Sequence, residues 1–448
     1  TAQALLGRTS GVGAERRKTA QSQGRARRAS APAPAPARAS GGARARTSRT
    51  RHVKPKRAAN RCGTICAMAN ADDAVSARTR IALIGSGIFA RNTYAPILSD
   101  SSFAGKVELA FVWSRGEESA SAIHDLVAPW APQCEKKFGE EGLQAILESN
   151  ECDAVVVILP PKIGLEVTLR ALRAGKHVLQ EKPVGTSREA IEGAIRAYDD
   201  LGQWRPVWGV AENYRFEDVY RFARTRIAED LGDVISISLN ASLKLDESSP
   251  YYHTSWRHSA SELPTVGGKS AGYLFEGPVH FMAAIRMLAG EVGSAGAGHR
   301  VSGSGTVHSA HKKLNQVDTL SGWLRFDDGN DRCCTASVTI CYASAAPCVR
   351  FVVTCEKGFF EIERVAGKYV FTEGGSGERR EFPFSGVKNE IEYWLEAVAR
   401  QRGFASASGA DGGSRLGRKV GFVDQQFPEI SSAEALGDVD ALLTLLGQ

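Results

Sequence analysis

Gly85-Ser86-Gly87-Ile88-Phe89-Ala90 lies between the apolar run Arg80-Ile81-Ala82-Leu83-Ile84 and a stretch of helical spacing that continues to Leu98. Glycines at this spacing permit a tight turn and let a pyrophosphate approach the backbone, and a small sixth residue lets helix and strand pack closely. The N–H groups at the start of the helix favour the anion. Gly85, Ser86, Gly87, Ile88 and Phe89 are therefore the first candidates for contact with a dinucleotide, a purely structural turn being the alternative. Ser114 and Arg115 follow the next apolar run, 107–113, and no carboxylate appears before Glu117. A ribose 2′-hydroxyl asks for an Asp or Glu at this point, whereas a 2′-phosphate suits an Arg. A hydroxyl beside a guanidinium thus favours NADP(H) over NAD(H). An ordinary solvated arginine is the competing reading of Arg115.

Two further groups could do chemistry. Lys182 stands in Glu181-Lys182-Pro183, directly after the apolar His177-Val178-Leu179. A lysine at the carboxyl end of a parallel strand sits in the crevice where ligands bind, and the following proline fixes its backbone. Its ammonium can hydrogen-bond an oxygen on which charge develops. Glu276 and His280 fall at i and i+4, a spacing that puts both on one side of a helix, and helical sequence is predicted over 277–288. An imidazole there suits proton transfer near neutral pH, with the carboxylate orienting or charge-tuning it. A core histidine packed beside Phe281 and Met282 is the alternative.

The elements that must position these residues form two grammars. Strands at 80–84, 107–113, 154–159, 177–179 and 207–210 alternate with helices, including 165–174, stopped by Gly175, and 188–201. This predicts an α/β Rossmann domain, a doubly wound parallel sheet, over 79–211. From 212 to 448 the strands at 234–239 and 320–326 alternate apolar and polar residues, and Asp327-Asp328-Gly329-Asn330 reads as a hairpin turn. Strands at 333–341 and 351–354 and helices at 390–400 and 432–446 complete an α+β domain with a mainly antiparallel open sheet. Residues 403–417, rich in Gly and Ser, read as a flexible insertion.

Ahead of these domains lies a different kind of sequence. Residues 1–66 hold sixteen Lys/Arg and one acidic residue, Glu15, which leaves a charge of −9 on everything after them. The basic balance of the whole chain is therefore no argument for nucleic-acid binding, because the charged tail carries no aromatic residue to stack on bases. Rich in Arg and Ser and poor in acid, it reads as a disordered transit peptide, with 67–78 a linker. Ile65-Cys66-Ala67 resembles a plastid processing site, which predicts a chloroplast location; a mitochondrial one, or an uncleaved basic arm, is the alternative. No apolar run approaches the ~20 residues that span a bilayer. Cys334, Cys341, Cys348 and Cys355 recur every seven residues, without the close pairs of a zinc site, so no metal is expected.

The order fingerprint, Ile158-Leu159-Pro160-Pro161, Gly175-Lys176-His177-Val178-Leu179-Gln180-Glu181-Lys182-Pro183, then Trp256-Arg257 and a Gly-Gly…His segment resembles the Gfo/Idh/MocA family of sugar and polyol oxidoreductases. Ala211-Glu212-Asn213-Tyr214-Arg215-Phe216 and His280-Phe281-Met282-Ala283-Ala284 are most similar to a fungal and plant branch. The resemblance implies a catalytic Lys182 with Glu276 and His280. It also implies cofactor contacts from Leu159, Pro160, Glu181 and Asn213, and a substrate wall from Tyr252, Trp256 and Arg257. A small-molecule substrate and a homodimer or homotetramer are expected with it. One departure stands out: the family carries Asp where this chain has Glu276, and the glycines around it are altered. An added methylene can displace a carboxylate by more than ~1 Å, enough for about a hundredfold in rate. A non-catalytic ligand sensor on the same fold is the rival expectation.

Overall fold

The computed structural model describes residues 78–202, 205–291, 300–327, 333–408 and 427–448. The predicted transit peptide and nearly all of the linker lie outside them, as do turn residues 328–330 and residues 409–417 of the expected insertion.

Six strands make the first sheet: β1 (Thr79–Ile84), β2 (Val107–Ser114), β3 (Glu135–Phe138), β4 (Ala154–Val157), β5 (His177–Glu181) and β6 (Trp208–Ala211). All pairs are parallel, in the order β3-β2-β1-β4-β5-β6. The crossovers carry α1 (Ala95–Leu98), α2 (Glu117–Val127), α3 (Gly139–Glu148), α4 (Pro161–Arg173) and α5 (Arg188–Asp199). Every residue of β4 and β6 is buried, as expected of strands covered on both faces. Strand order reverses between β1 and β4, whose last residues pair as Ile84 with Val157, so a crevice opens beyond their carboxyl ends. The helix expected to run on to Leu98 is not uniform. Ala90–Tyr94 winds more widely, with the Ala95 N–H reaching back to the Ala90 carbonyl, before closing into α1.

The chain continues through α6 (Asp218–Arg226), β7 (Val234–Lys244), a ribbon of β8 (Thr265–Val266) and β9 (Lys269–Ser270), then α7 (Gly272–Glu276) and α8 (Val279–Leu288). Seven more strands and two helices follow: β10 (Arg300–His308), β11 (Thr319–Asp327), β12 (Cys333–Cys341), β13 (Ala343–Cys355), β14 (Gly358–Val365), β15 (Lys368–Glu373), β16 (Arg379–Pro383), α9 (Gly386–Ser408) and α10 (Ser432–Leu446). The second sheet runs β10-β11-β12-β7-β13-β14-β15-β16 and is antiparallel except for β12 beside β7. One face buries Leu239, Ile340, Phe351 and Ile362 with Tyr214, Tyr220, Phe281 and Ile285 from the α6 and α8 side. Cys334 and Cys355 belong to that core, whereas Cys348 is exposed and Cys341 half-buried.

Two element readings are corrected. The helix predicted over 277–288 begins at Val279, because the chain breaks at Gly277-Pro278, where the proline supplies no N–H. Residues 403–408 are not an insertion but the last turns of α9. α10 is capped by Ser431, whose side chain accepts from the Glu434 N–H, and it packs against α5, β6, α8, β10 and β11. It thereby touches elements of both sheets. Buried Arg286 holds it through Asp438 at 2.8 Å and Glu434 at 2.9 Å, and buried Arg215 also pairs with Asp438.

Candidate active site

Gly85 leaves β1 with φ +123, a conformation that side chains rarely adopt, and a Cβ there would sit 2.3 Å from the Ile158 carbonyl oxygen. Gly87 faces the opposite situation: a Cβ would meet nothing within 4 Å. One glycine is thus required by the turn, and the other leaves open room above the backbone where a diphosphate would lie. At the end of β2, Ser86 Oγ donates to Ser114 Oγ at 2.9 Å. Arg115 is exposed beside them and makes no ion pair among the described residues. These residues fit a dinucleotide, which the 85–89 backbone would hold through its diphosphate.

The crevice contains a cavity of about 250 Å³. Its walls combine the turn residues Gly87, Ile88 and Phe89, the β4 exit at Ile158, Leu159 and Pro160, and the β5 end at Glu181 and Lys182. Tyr251, Thr254, Trp256, Arg257 and Glu276 close it from the second domain. Lys182 is buried there. Its Nζ donates to Glu276 Oε1 at 2.8 Å and to the Glu276 carbonyl oxygen at 3.1 Å. Arg257 lies 3.4 Å from the same Oε1, stacks over Trp256 at 4.1 Å, and donates to Thr254 Oγ1. Burial alone would push the Glu276 carboxyl up, but the Lys182 and Arg257 charges outweigh it and hold it well below the usual range. Glu276 is therefore a fixed anion between two cations. Its position is set by close packing at both ends of α7: a Cβ on Gly272 would lie 2.0 Å from the Arg257 carbonyl oxygen, and one on Gly277 2.0 Å from Tyr342 Oη.

His280 is not partnered by Glu276. The break at Gly277-Pro278 separates the two, and His280 Nδ1 lies 2.6 Å from Glu212 Oε1, which also accepts from the Tyr214 N–H. Its ring stacks on Tyr214 at 4.8 Å. Burial holds this imidazole well below its ordinary value, so it is neutral at pH 7. The same burial pushes Glu212 and Glu181 up to about 7, although Arg215 opposes it at the first and Lys182 at the second. Glu181 also accepts from Tyr94 Oη at 2.8 Å.

Two further expectations are displaced. Asn213 is buried outside the cavity wall, its amide directed at Glu217 Oε1. Tyr252 faces a different hollow, against His253, His258 and His311, and its neighbour Tyr251 takes the cavity side. Residues 249–254 form turns rather than a strand, so no alternation marked which tyrosine points inward. Arg91, Tyr251 and Thr254 at the cavity, and Glu212 behind it, were not anticipated. Glu212 alone carried a readable signal, an ionisable residue just past the carboxyl end of a parallel strand.

Comparison with known proteins agrees with this fold. Residues 79–204 match the model of the Gfo/Idh/MocA oxidoreductase family, NAD-binding Rossmann fold. A dehydrogenase, FPY6, of Fusarium mangiferae is 27% identical over 387 residues, covering 82% of this chain and 95% of its own. The chain is an oxidoreductase similar to the Gfo/Idh/MocA family. A D-xylose 1-dehydrogenase (NADP(+)) of Haloferax volcanii is 31% identical over 145 residues, 32% of this oxidoreductase and 41% of the relative. The fold recurs in an oxidoreductase from Thermotoga maritima, with a TM-score of 0.61 and 23% identity over 82% of this chain and 96% of that one. It recurs again in a 3-ketoreductase from Actinomadura kijaniata solved with NADP and TDP-benzene, with a TM-score of 0.58 and 19% identity over 82% and 98%. This oxidoreductase carries an NAD(P)-binding Rossmann fold.

Proposed function

We propose that the enzyme is an NADP(H)-dependent oxidoreductase interconverting a carbonyl and a secondary alcohol in a small sugar-, polyol- or diol-like substrate. The carrying observation is Lys182, fixed in the cavity wall by Glu276 and opposed by Trp256 and Arg257. When bound, the dinucleotide supplies or accepts the hydride. The chain does the rest. Lys182 presents an ammonium to the substrate oxygen and offsets charge developing there. His280, with Nδ1 held by Glu212, has Nε2 for proton exchange. Trp256 offers an apolar face to the C–H side of a ring, and Glu276 fixes both cations. The xylose dehydrogenase and the ketoreductase among its relatives support the substrate class.

Arg115 and Ser114 support NADP(H). Calorimetric titration should show tighter binding of NADPH than NADH, and Arg115→Ala should weaken NADPH by about 10- to 100-fold, one charge-assisted pair, while leaving NADH unchanged. Equal affinities in the wild type would sink the preference. Lys182→Ala should lower kcat by roughly 10²–10³-fold with nucleotide affinity retained. Binding without turnover on any of a broad carbonyl panel would favour a ligand sensor instead. The basic, acid-poor residues 1–66 support a chloroplast address, with the mitochondrion as the alternative; import assays with the two isolated organelles separate them. Homo-oligomerisation through the uncovered face of the second sheet completes the proposal.

A further inference from the structure

The charges on the cavity wall do not balance. Among the described residues it is lined by three cations, Arg91, Lys182 and Arg257, and by two acids, Glu181 and Glu276. Arg91 belongs to the wide turn that follows the fingerprint and stands on the dinucleotide's side. Lys182 and Glu276 satisfy each other at 2.8 Å. Arg257 is the cation that remains, and it is only 5% exposed.

The Arg257 guanidinium lies over the Trp256 ring at 4.1 Å and the Tyr251 ring at 5.0 Å. Its Nη1 donates to Thr254 Oγ1 at 3.0 Å, and Thr254 in turn donates to the Tyr251 carbonyl oxygen at 2.6 Å, so that side is fixed. The other edge is under-used. Nη2 stands 3.4 Å from Glu276 Oε1, an ion pair without a hydrogen bond, and Nε has no hydrogen-bond partner among the described residues. A buried donor left in that state is costly, and a charged one more so. The group that fits a guanidinium edge is a carboxylate, whose two oxygens meet two parallel N–H groups; a neutral hydroxyl meets one.

We propose that the substrate is a hydroxy acid or its oxo counterpart, and that Arg257 selects it by holding the carboxylate on the Nε–Nη2 edge. Lys182 Nζ and Arg257 Nη2 converge on the same Glu276 oxygen, so the two cations are close neighbours. A substrate whose reacting oxygen meets Lys182 therefore places its carboxylate at Arg257 when the two groups are one or two carbons apart. Within the sugar- and polyol-like class this favours aldonic- and glyceric-type acids over neutral polyols. Which carbon reacts rests on the oxidoreductase reading above; the binding of the acid does not.

Calorimetry on the NADP⁺-saturated enzyme tests this with lactate, glycerate, threonate and gluconate. Each is compared with the alcohol of the same chain that carries CH₂OH in place of the carboxylate: propane-1,2-diol, glycerol, threitol and glucitol. At least one acid should bind about tenfold or more tightly than its alcohol, the scale of one charge-assisted pair. Arg257→Gln should remove that difference and leave the alcohol and NADPH affinities unchanged. Arg257→Lys, which keeps the charge without the fork, should restore only part of it. An arginine that merely braces Glu276 would make Arg257→Gln weaken acid and alcohol alike, and that result overturns the proposal. So does a panel in which no acid outbinds its alcohol. Acid binding that depends on Arg257, without NADPH-linked turnover of the corresponding 2- and 3-oxo acids, would instead sink the oxidoreductase reading and leave the acid site standing.

Discussion

Lys182 reaches the cavity already engaged, its ammonium shared between the carboxylate and the main-chain carbonyl of one residue, Glu276. The longer acid does not point past its target; packing around Gly272 and Gly277 sets α7 so that Oε1 meets Nζ. Removing the charge should expose two uncompensated buried cations. Glu276→Gln should cost about 3 kcal/mol at neutral pH, the low end for breaking a buried pair. The sign with pH follows from the depressed carboxyl: its contribution is present above the unfolded value of about 4.3 and is lost as pH falls toward the folded one. Denaturant titrations should therefore show a constant gap between wild type and variant from about pH 6 to 9, closing below about pH 4. A gap that widens in acid would contradict the ion pair. The lysine was legible in the sequence because its strand and its proline are adjacent to it. The partner of His280 was not, because Glu212 lies far away in the chain and the intuitive neighbour, Glu276, is cut off by Pro278.

At the scale of elements, turns were easier to read than the pieces they join. Gly85 is the firmest case, since its backbone conformation and the Ile158 carbonyl both exclude a side chain. Gly85→Ala should abolish measurable nucleotide binding in calorimetry while the second sheet keeps its structure by circular dichroism; retained affinity would remove the fingerprint from the site. The parallel strands β1, β2, β4 and β5 were visible as apolar runs, and α10 as the closing helix at 432–446. β3, with the sequence Glu135-Lys136-Lys137-Phe138, was invisible because it is a polar edge strand. α9 was read too short because the Gly- and Ser-rich composition that follows Arg402 still winds as helix through Ser408. Composition marks where a helix can stop, whereas tertiary packing decides where it does.

At the scale of the whole molecule, the described residues cover one face of the second sheet and leave the other exposed. Trp323 and Phe359 stand outward at 49% and 44% exposure, Trp323 in line with Ser337 and Ser238, and Phe359 paired with Thr354. The proposed homo-oligomer would meet on this face. Sedimentation should find a dimer or tetramer in the wild type and a shift to monomer in Trp323→Lys; a wild-type monomer at micromolar concentration would refute this. The same scale gives α10 a meaning of its own. It packs on the first-sheet side at α5 and β6 and on the second-sheet side at α8, β10 and β11, and it is pinned by two buried arginines. A nascent chain makes both sheets before it makes this helix. On the ribosome, then, the elements of both sheets are present before residues 432–446 emerge to pack across them.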